Sequence, residues 1–211
     1  MTIVMRPITA SRASAARYSP RDRMVYAAVQ LIRSRGVAGT SLRDVVAHAE
    51  APWGSLGHYF PRGKDQLVAE ALVWASEYAA VRVGRYRETT SAPTPSGLLG
   101  YLLAQWQVEF ADAGFERGCP LVAATADVVA GNESMRATVA GGFDRWRQAI
   151  EDELRGMGVP APRADSFATL ILATLEGAIV LARARLDAAP LAAVARELGP
   201  VLDAALEDER S

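Results

Sequence analysis

The stretch Gly36–Leu67 reads G-V-A-G-T-S-L-R-D-V-V-A-H-A-E-A-P-W-G-S-L-G-H-Y-F-P-R-G-K-D-Q-L, and its punctuation decides the fold. Thr40 or Ser41 offers an N-cap hydroxyl to a short helix whose apolar face is Leu42, Val45, Val46 and Ala49. Glu50-Ala51 breaks that helix, Pro52 opens the next, and Phe60-Pro61 closes it. Two short helices across a tight turn make a helix-turn-helix. Upstream, Ser19 is an N-cap and Pro20 a first helical position. Met24, Ala27, Ala28, Leu31 and Ile32 then recur at three-to-four spacing as far as Arg35-Gly36.

Downstream the helical pattern lengthens. Leu67, Ala71, Trp74, Tyr78 and Val81 predict a helix from Lys64 to about Arg87, roughly 36 Å long. A loop over Thr89–Ser96, rich in Pro93 and Pro95, precedes a helix over Leu98–Ala111. Pro120 opens a helix to about Ala130, and Asn132 or Ser134 caps another that runs to Met157. Ala164 to about Leu186 and Leu191 to Leu206 are the last two, broken at Ala189-Pro190. No β-branched residues alternate as in a strand, and alanine, 40 of 211 residues, is the best helix former. The expected fold is all-α with about nine helices and no internal repeat.

The formal charge of −1 conceals a division. Residues 1–64 carry ten basic side chains against Asp22, Asp44 and Glu50, a net of +7; residues 65–211 carry 13 basic and 21 acidic groups, a net of −8. A basic quarter on an acidic remainder suits an N-terminal part that meets a polyanion, although solvated surface charge gives the same count. Residues 1–19, with Arg6, Arg12 and Arg17, read as a flexible basic arm. They lack the apolar core of a secretory signal, and no run approaches the roughly 18 uncharged apolar residues of a membrane helix. One cysteine, Cys119, excludes a disulfide framework and a multi-cysteine zinc site. Two histidines, His48 and His58, leave little for histidine-based catalysis or metal binding. The composition is that of a cytoplasmic protein, with no cofactor implied.

From Gly36 into the following helix, the quoted stretch resembles the DNA-binding domain of tetracycline-repressor family regulators. The E-R-G-C-P-L-V-A-A-T-A-D-V segment, Glu116–Val128, is similar to the lincomycin-resistance-repressor-like subgroup. Three positions depart from the family pattern. Glu50 stands where a turn glycine is common, so the turn needs a strained φ or a different shape. Trp53 replaces a small or basic residue, and Gly57 replaces an aromatic residue of the recognition helix, at roughly 1 kcal/mol of helix propensity against alanine.

In a helix-turn-helix the second helix enters the major groove N-terminus first while its predecessor crosses the backbone. Pro52, Trp53, Gly54 and Ser55 form that leading end, with His58 one turn on. Ser55 and His58 can donate to or accept from a base edge or phosphate. Thr40 and Ser41 place hydroxyls toward phosphate, Arg43 lies on the same side, Tyr59 offers a hydroxyl, and Lys64 starts the long helix. Trp53 either packs or stacks on the sugar-phosphate backbone. Leu56 and Phe60 are core, and His48 is structural.

These assignments divide the chain into the arm (1–19), a helix-turn-helix domain (20–63) and a helical domain (64–211). The resemblance implies that the last binds a small-molecule effector and dimerises. The candidate lining is Trp74, Tyr78, Trp106, Phe110, Cys119, Val122, Phe143, Trp146, Thr169 and Glu176, although any one aromatic taken alone better suits a core. The resemblance further implies a four-helix bundle between two copies through Phe167, Ile171 and their neighbours on the last two helices. The function read here is a homodimeric repressor released from palindromic double-stranded operator DNA by a small hydrophobic or aromatic effector. The alternatives are a helical sensor with degraded DNA binding, or a carboxylate-based enzyme. The enzyme lacks support: the chain has no phosphate loop, no nucleophile constellation and no metal-spaced cluster.

Overall fold

The computed structural model describes residues 18–128 and 130–206; the expected arm lies, through residue 17, outside the described residues. Among the described residues the fold is all-α, with nine α-helices, two 3-10 turns and no strand. The helices are α1 (Pro20–Arg35), α2 (Leu42–His48), α3 (Leu56–Tyr59), α4 (Gly63–Thr89), α5 (Pro95–Ala113), α6 (Pro120–Val128), α7 (Glu133–Gly156), α8 (Ala161–Arg185) and α9 (Ala189–Ala204). The 3-10 turns are Trp53–Ser55 and Gly114–Glu116.

Local signals place the helix starts. Ser19 caps α1 by accepting from the Asp22 N–H at 3.1 Å, with Pro20 at the first position. Of the two candidates for α2, Ser41 is the cap, accepting from the Asp44 N–H at 3.1 Å. Asn132 takes that role for α7, its Oδ1 accepting from the Met135 N–H at 3.0 Å.

The chain forms two compact units. Of the described residues, the first comprises those up to Tyr78 together with those of Pro120–Gly142; the second comprises Ala79–Cys119 and those from Phe143 on. Met24, Ala28, Ile32, Val45, Leu56, Phe60, Leu67 and Leu72 are buried in the first unit and hold the short α2 and α3 to α1 and α4. Arg21 lies over the Phe60 ring at 5.5 Å and pairs with Glu70 at 2.5 Å. In the same unit α6 packs on α1, although 84 residues of sequence separate their ends.

In the second unit α9 packs on α5 and α8. Leu98, Leu99, Leu102 and Leu103 of α5 are buried with Leu191 and Leu202 of α9. Asp203 accepts from the Ser96 N–H at 2.9 Å, satisfying an orphan donor at the start of α5. By length and composition α8 is long and apolar enough to cross a membrane, although Asp165, Glu176 and Arg183 keep its uncharged runs well short of 18 residues. Half of its apolar window is buried within the chain and it carries Glu176 at mid-helix, the pattern of a core helix.

Candidate functional site

The helix-turn-helix is built on a strained turn. Glu50 adopts φ 48°, the left-handed region in which the missing glycine would be unstrained. The Glu50 N–H donates to the Ala47 carbonyl at 3.2 Å and the Ala51 N–H to the Val46 carbonyl at 3.1 Å. Arg23 braces the turn from α1: Nε donates to the Ala49 carbonyl at 3.0 Å and Nη2 to the Glu50 carbonyl at 3.3 Å. Arg23 entered the sequence reading only as one of ten positive charges. Together with Arg21, it works inside the fold.

Past the turn, Pro52 has φ −66° and leads into the 3-10 turn Trp53–Ser55, which continues directly as α3. Leu56 and Phe60 are buried beneath it. The opposite side presents Pro52, Trp53 (57% exposed), Gly54, Gly57 and His58. Ser55 is half-buried, and its hydroxyl donates to the Pro52 carbonyl at 2.6 Å, so its lone pairs are what it offers outward. The His58 and Tyr59 rings meet edge-on at 5.2 Å. Gly54 and Gly57 have open space around the positions a Cβ would take.

Around this surface Arg43 and Arg62 are exposed and Lys64 is half-buried, none of them ion-paired among the described residues. Arg62 was missed as an individual contact candidate, although the F-P-R-G-K turn places it directly between α3 and α4. Ser41 is exposed, its hydroxyl shared with Asp44. Thr40 requires a correction. It is only 3% exposed and its hydroxyl donates to the Gly36 carbonyl at 2.7 Å, so its side chain closes the α1–α2 turn and does not face phosphate. His48, expected to be structural, is exposed at the end of α2.

The candidate effector residues do not form one group. Trp74, Tyr78 and Val122 belong to the first unit, where Trp74 stacks on Tyr78 at 5.5 Å and meets Tyr26 of α1 edge-on at 5.7 Å. Trp106, Phe110, Cys119, Phe143, Trp146 and Glu176 belong to the second. There Trp106, Phe110 and Phe115 form a row of rings with centroid separations of 5.8 and 4.7 Å. Trp146 is buried with its Nε1 unpartnered, and Glu176 is buried with the Cys119 thiol beside its carboxyl and no nitrogen or hydroxyl donor on either oxygen. Burial pushes the Glu176 carboxyl up to about 7, while the adjacent Cys119 thiol pulls weakly the other way. Thr169 is corrected: it is exposed and its hydroxyl donates to the Asp165 carbonyl at 3.1 Å, so it lines no interior.

The dimer candidates are corrected as well. Phe167 and Ile171 are buried within the chain, with Arg163 over the Phe167 ring at 5.1 Å. The outward apolar side chains of the last two helices are Leu170, Val180, Leu181 and Val201. Between α8 and α9 runs an apolar groove of about 510 Å³ whose lining includes Gly177, Leu181, Pro190 and Val194.

A buried three-helix scaffold that presents a short helix beside unpaired cations defines a helix-turn-helix DNA-binding protein. Residues 25–71 match the model of the tetR family of bacterial regulatory proteins, and residues 95–197 match the LmrA/YxaF-like C-terminal domain of transcriptional regulators. An HTH-type transcriptional regulator of Mycobacterium tuberculosis is 38% identical over 196 residues, 90% of this chain and 97% of its own. The regulator LmrA of Bacillus subtilis is 28% identical over 171 residues, 81% and 90% of the two chains. A TetR regulator from Legionella pneumophila superposes with a TM-score of 0.75 at 18% identity, covering 88% of this chain and 98% of its own. The chain belongs to the tetR family of transcriptional regulators, and its relatives are regulators, not enzymes.

Proposed function

We propose that the protein is a homodimeric, cytoplasmic repressor whose two heads read a palindromic operator and let go of it when a small hydrophobic or aromatic effector binds. The observation that carries this reading is the surface of Trp53, Gly54, Gly57 and His58, held outward by the buried Leu56 and Phe60 and flanked by Arg43, Arg62 and Lys64. A short, close-approaching helix with cations on its flanks suits a major groove bounded by phosphates. Residues 20–63 are the head in this reading, and residues 64–211 the effector-binding and dimerisation part.

The second copy docks on α8 and α9 through Leu170, Leu181 and the groove beside them, a four-helix arrangement that covers the outward apolar side chains. Paired heads then sit one helical turn apart on DNA, roughly 34–36 Å. The effector acts by favouring a conformation in which that spacing is wrong, and each tenfold loss of operator affinity requires about 1.4 kcal/mol of differential binding. Selection of binding sites from genomic DNA, followed by fluorescence anisotropy on the enriched sequence, tests the reading. A palindrome bound at two heads per site supports it. Equal affinity for enriched and random DNA would refute it.

A further inference from the structure

Gln66, one turn into α4, uses both ends of its side-chain amide. Oε1 accepts from the Arg62 backbone N–H at 3.1 Å, while Nε2 donates to Glu70 Oε1 at 3.0 Å and, more weakly, to the Tyr59 carbonyl at 3.5 Å. An amide can turn over and exchange its oxygen for its nitrogen, which would set Nε2 against the Arg62 donor. Glu70 forbids this: an ionised carboxylate only accepts, so Nε2 must face Glu70 and Oε1 must face Arg62. Glu70 is itself held. Arg21 of α1 donates to its Oε2 at 2.5 Å while lying over the buried Phe60 ring at 5.5 Å. Arg21 thus fixes Glu70, Glu70 fixes the Gln66 amide, and the amide fixes the backbone at Arg62.

The connection between α3 and α4 depends on that contact. Pro61 has no N–H, and the Gly63 N–H donates to the Phe60 carbonyl at 2.9 Å with Gly63 at φ 71°. Arg62 carries the remaining donor of the turn, and Gln66 takes it. Gly63 is the most permissive residue there, so without Gln66 nothing sets the Arg62 peptide or the direction in which its side chain leaves the turn. That side chain is exposed beside α3, with no ion pair among the described residues. A guanidinium on a fixed stem meets a phosphate at less entropic cost than one on a mobile stem. We propose that Gln66 is a positioning residue for DNA binding: held in one orientation by Glu70 and Arg21, its amide aims Arg62 at the phosphate backbone beside α3. This rests on the DNA-reading head proposed above and asks nothing of the effector.

Salt titrations by fluorescence anisotropy, on the selected operator and on random DNA, test the proposal with the full-length protein, Gln66→Met, Arg62→Ala and the double variant. Methionine keeps the length and apolar stem of glutamine without the amide. Gln66→Met is expected to weaken binding about tenfold on both DNAs and to flatten the dependence of log K on log salt by nearly the two per dimer expected of Arg62→Ala. The double variant should fall within about twofold of Arg62→Ala alone, because both changes remove the same contact. Glu70→Ala supplies an independent sign. Removing an acidic group near DNA tightens binding by charge alone, whereas loss of its hold on Gln66 should weaken binding about threefold. A Gln66→Met slope equal to that of the wild type would overturn the proposal, and a lowered melting temperature with that slope would leave Gln66 as a cap of α4 only. Losses that add in the double variant, or a Glu70→Ala protein that binds DNA as tightly as the wild type or more so, would overturn it too. Should Gln66→Met fail to fold, Glu70→Ala decides alone. If the wild type binds operator and random DNA alike, the operator reading falls, and the slopes on random DNA still decide the role of Gln66.

Discussion

The Asp127 carboxylate of α6 accepts a hydrogen bond from the Ala38 N–H, in the turn between α1 and α2, at 3.1 Å. The same carboxylate occupies the space beside Gly36, where an added Cβ would lie 2.3 Å from Oδ2. Gly36 itself has φ 73°, a conformation that L side chains rarely adopt. A helix remote in sequence is thereby pinned to the connection between α1 and α2, just before the helix-turn-helix. Cys119, the residue preceding α6, adjoins Glu176.

Gly36→Ala should therefore cost more than Asp127→Ala in chemical denaturation. The first loses the left-handed backbone and displaces the carboxylate, about 1–2 kcal/mol for the backbone alone. The second removes one exposed hydrogen bond, about 1 kcal/mol. If Asp127 transmits the effector signal, Asp127→Ala will also blunt effector release while operator affinity without effector stays within a few fold.

Glu50 and Gly57 are two places where substitution should stabilise the head. Glu50→Gly relieves a left-handed φ of 48° and should gain about 1 kcal/mol. Gly57→Ala adds a methyl into open space on α3 and should gain about 0.5–1 kcal/mol from helix propensity. Thermal melts of the two variants, compared with Arg23→Ala, check this: loss of the Ala49 and Glu50 carbonyl contacts should lower the melting temperature.

Lys64→Ala and Arg62→Ala should each weaken binding to every DNA sequence and flatten the dependence of log K on log salt by about two per dimer, one for each copy. Ser55→Ala and His58→Ala should instead relax preference at particular base pairs by about 1–3 kcal/mol with the salt slope nearly unchanged. Salt titrations on operator and random DNA distinguish the two behaviours. Identical losses on both DNAs for all four variants would mean that the reading face lies elsewhere.

Leu181 is 52% exposed on α8, whereas Leu175 on the same helix is fully buried. Leu181→Asp should yield a folded monomer in sedimentation, with operator affinity lost because one half-site makes too few contacts. Leu175→Asp places an unpaired charge in the core and should unfold the chain, at a cost of several kcal/mol. A Leu181→Asp protein that remained dimeric at micromolar concentration would displace the proposed interface from this face.

The Glu176 carboxyl gives stability a pH dependence of known sign. Its folded value of about 7 exceeds the ordinary 4.5, so the folded state holds the proton more tightly. That contribution is fully present below about pH 4.5 and is lost as pH rises through 7. Across this window the wild type should lose about 3 kcal/mol relative to Glu176→Gln, at about 1.4 kcal/mol per unit of pKa difference. Denaturation of both proteins at pH 5 and pH 8 checks it, and parallel curves would remove the effect.

The helices, their caps and the helix-turn-helix were legible in the sequence because they depend on short windows. Ser19 reaches Asp22 and Ser41 reaches Asp44, each three residues away, and an apolar stripe repeats within a few turns. At Glu50 the resemblance left a strained φ and a different turn shape open, and the structure has the strained one, φ 48°. Which neighbour covers an apolar face is another matter. Periodicity put Phe167 and Ile171 in the same stripe as Leu170 and Leu181, and only the packing of α8 divided them into buried and outward sets. Thr40 and Ser41 are equivalent cap candidates by type, yet the turn at Gly36 directs one hydroxyl inward and leaves the other exposed. Arg23 reaches Ala49 across 26 residues, and Asp127 reaches Ala38 across 89. Tertiary structure decided these contacts, because a side chain's long-range partner is set by how helices dock, and helical periodicity specifies a face without specifying what lies against it.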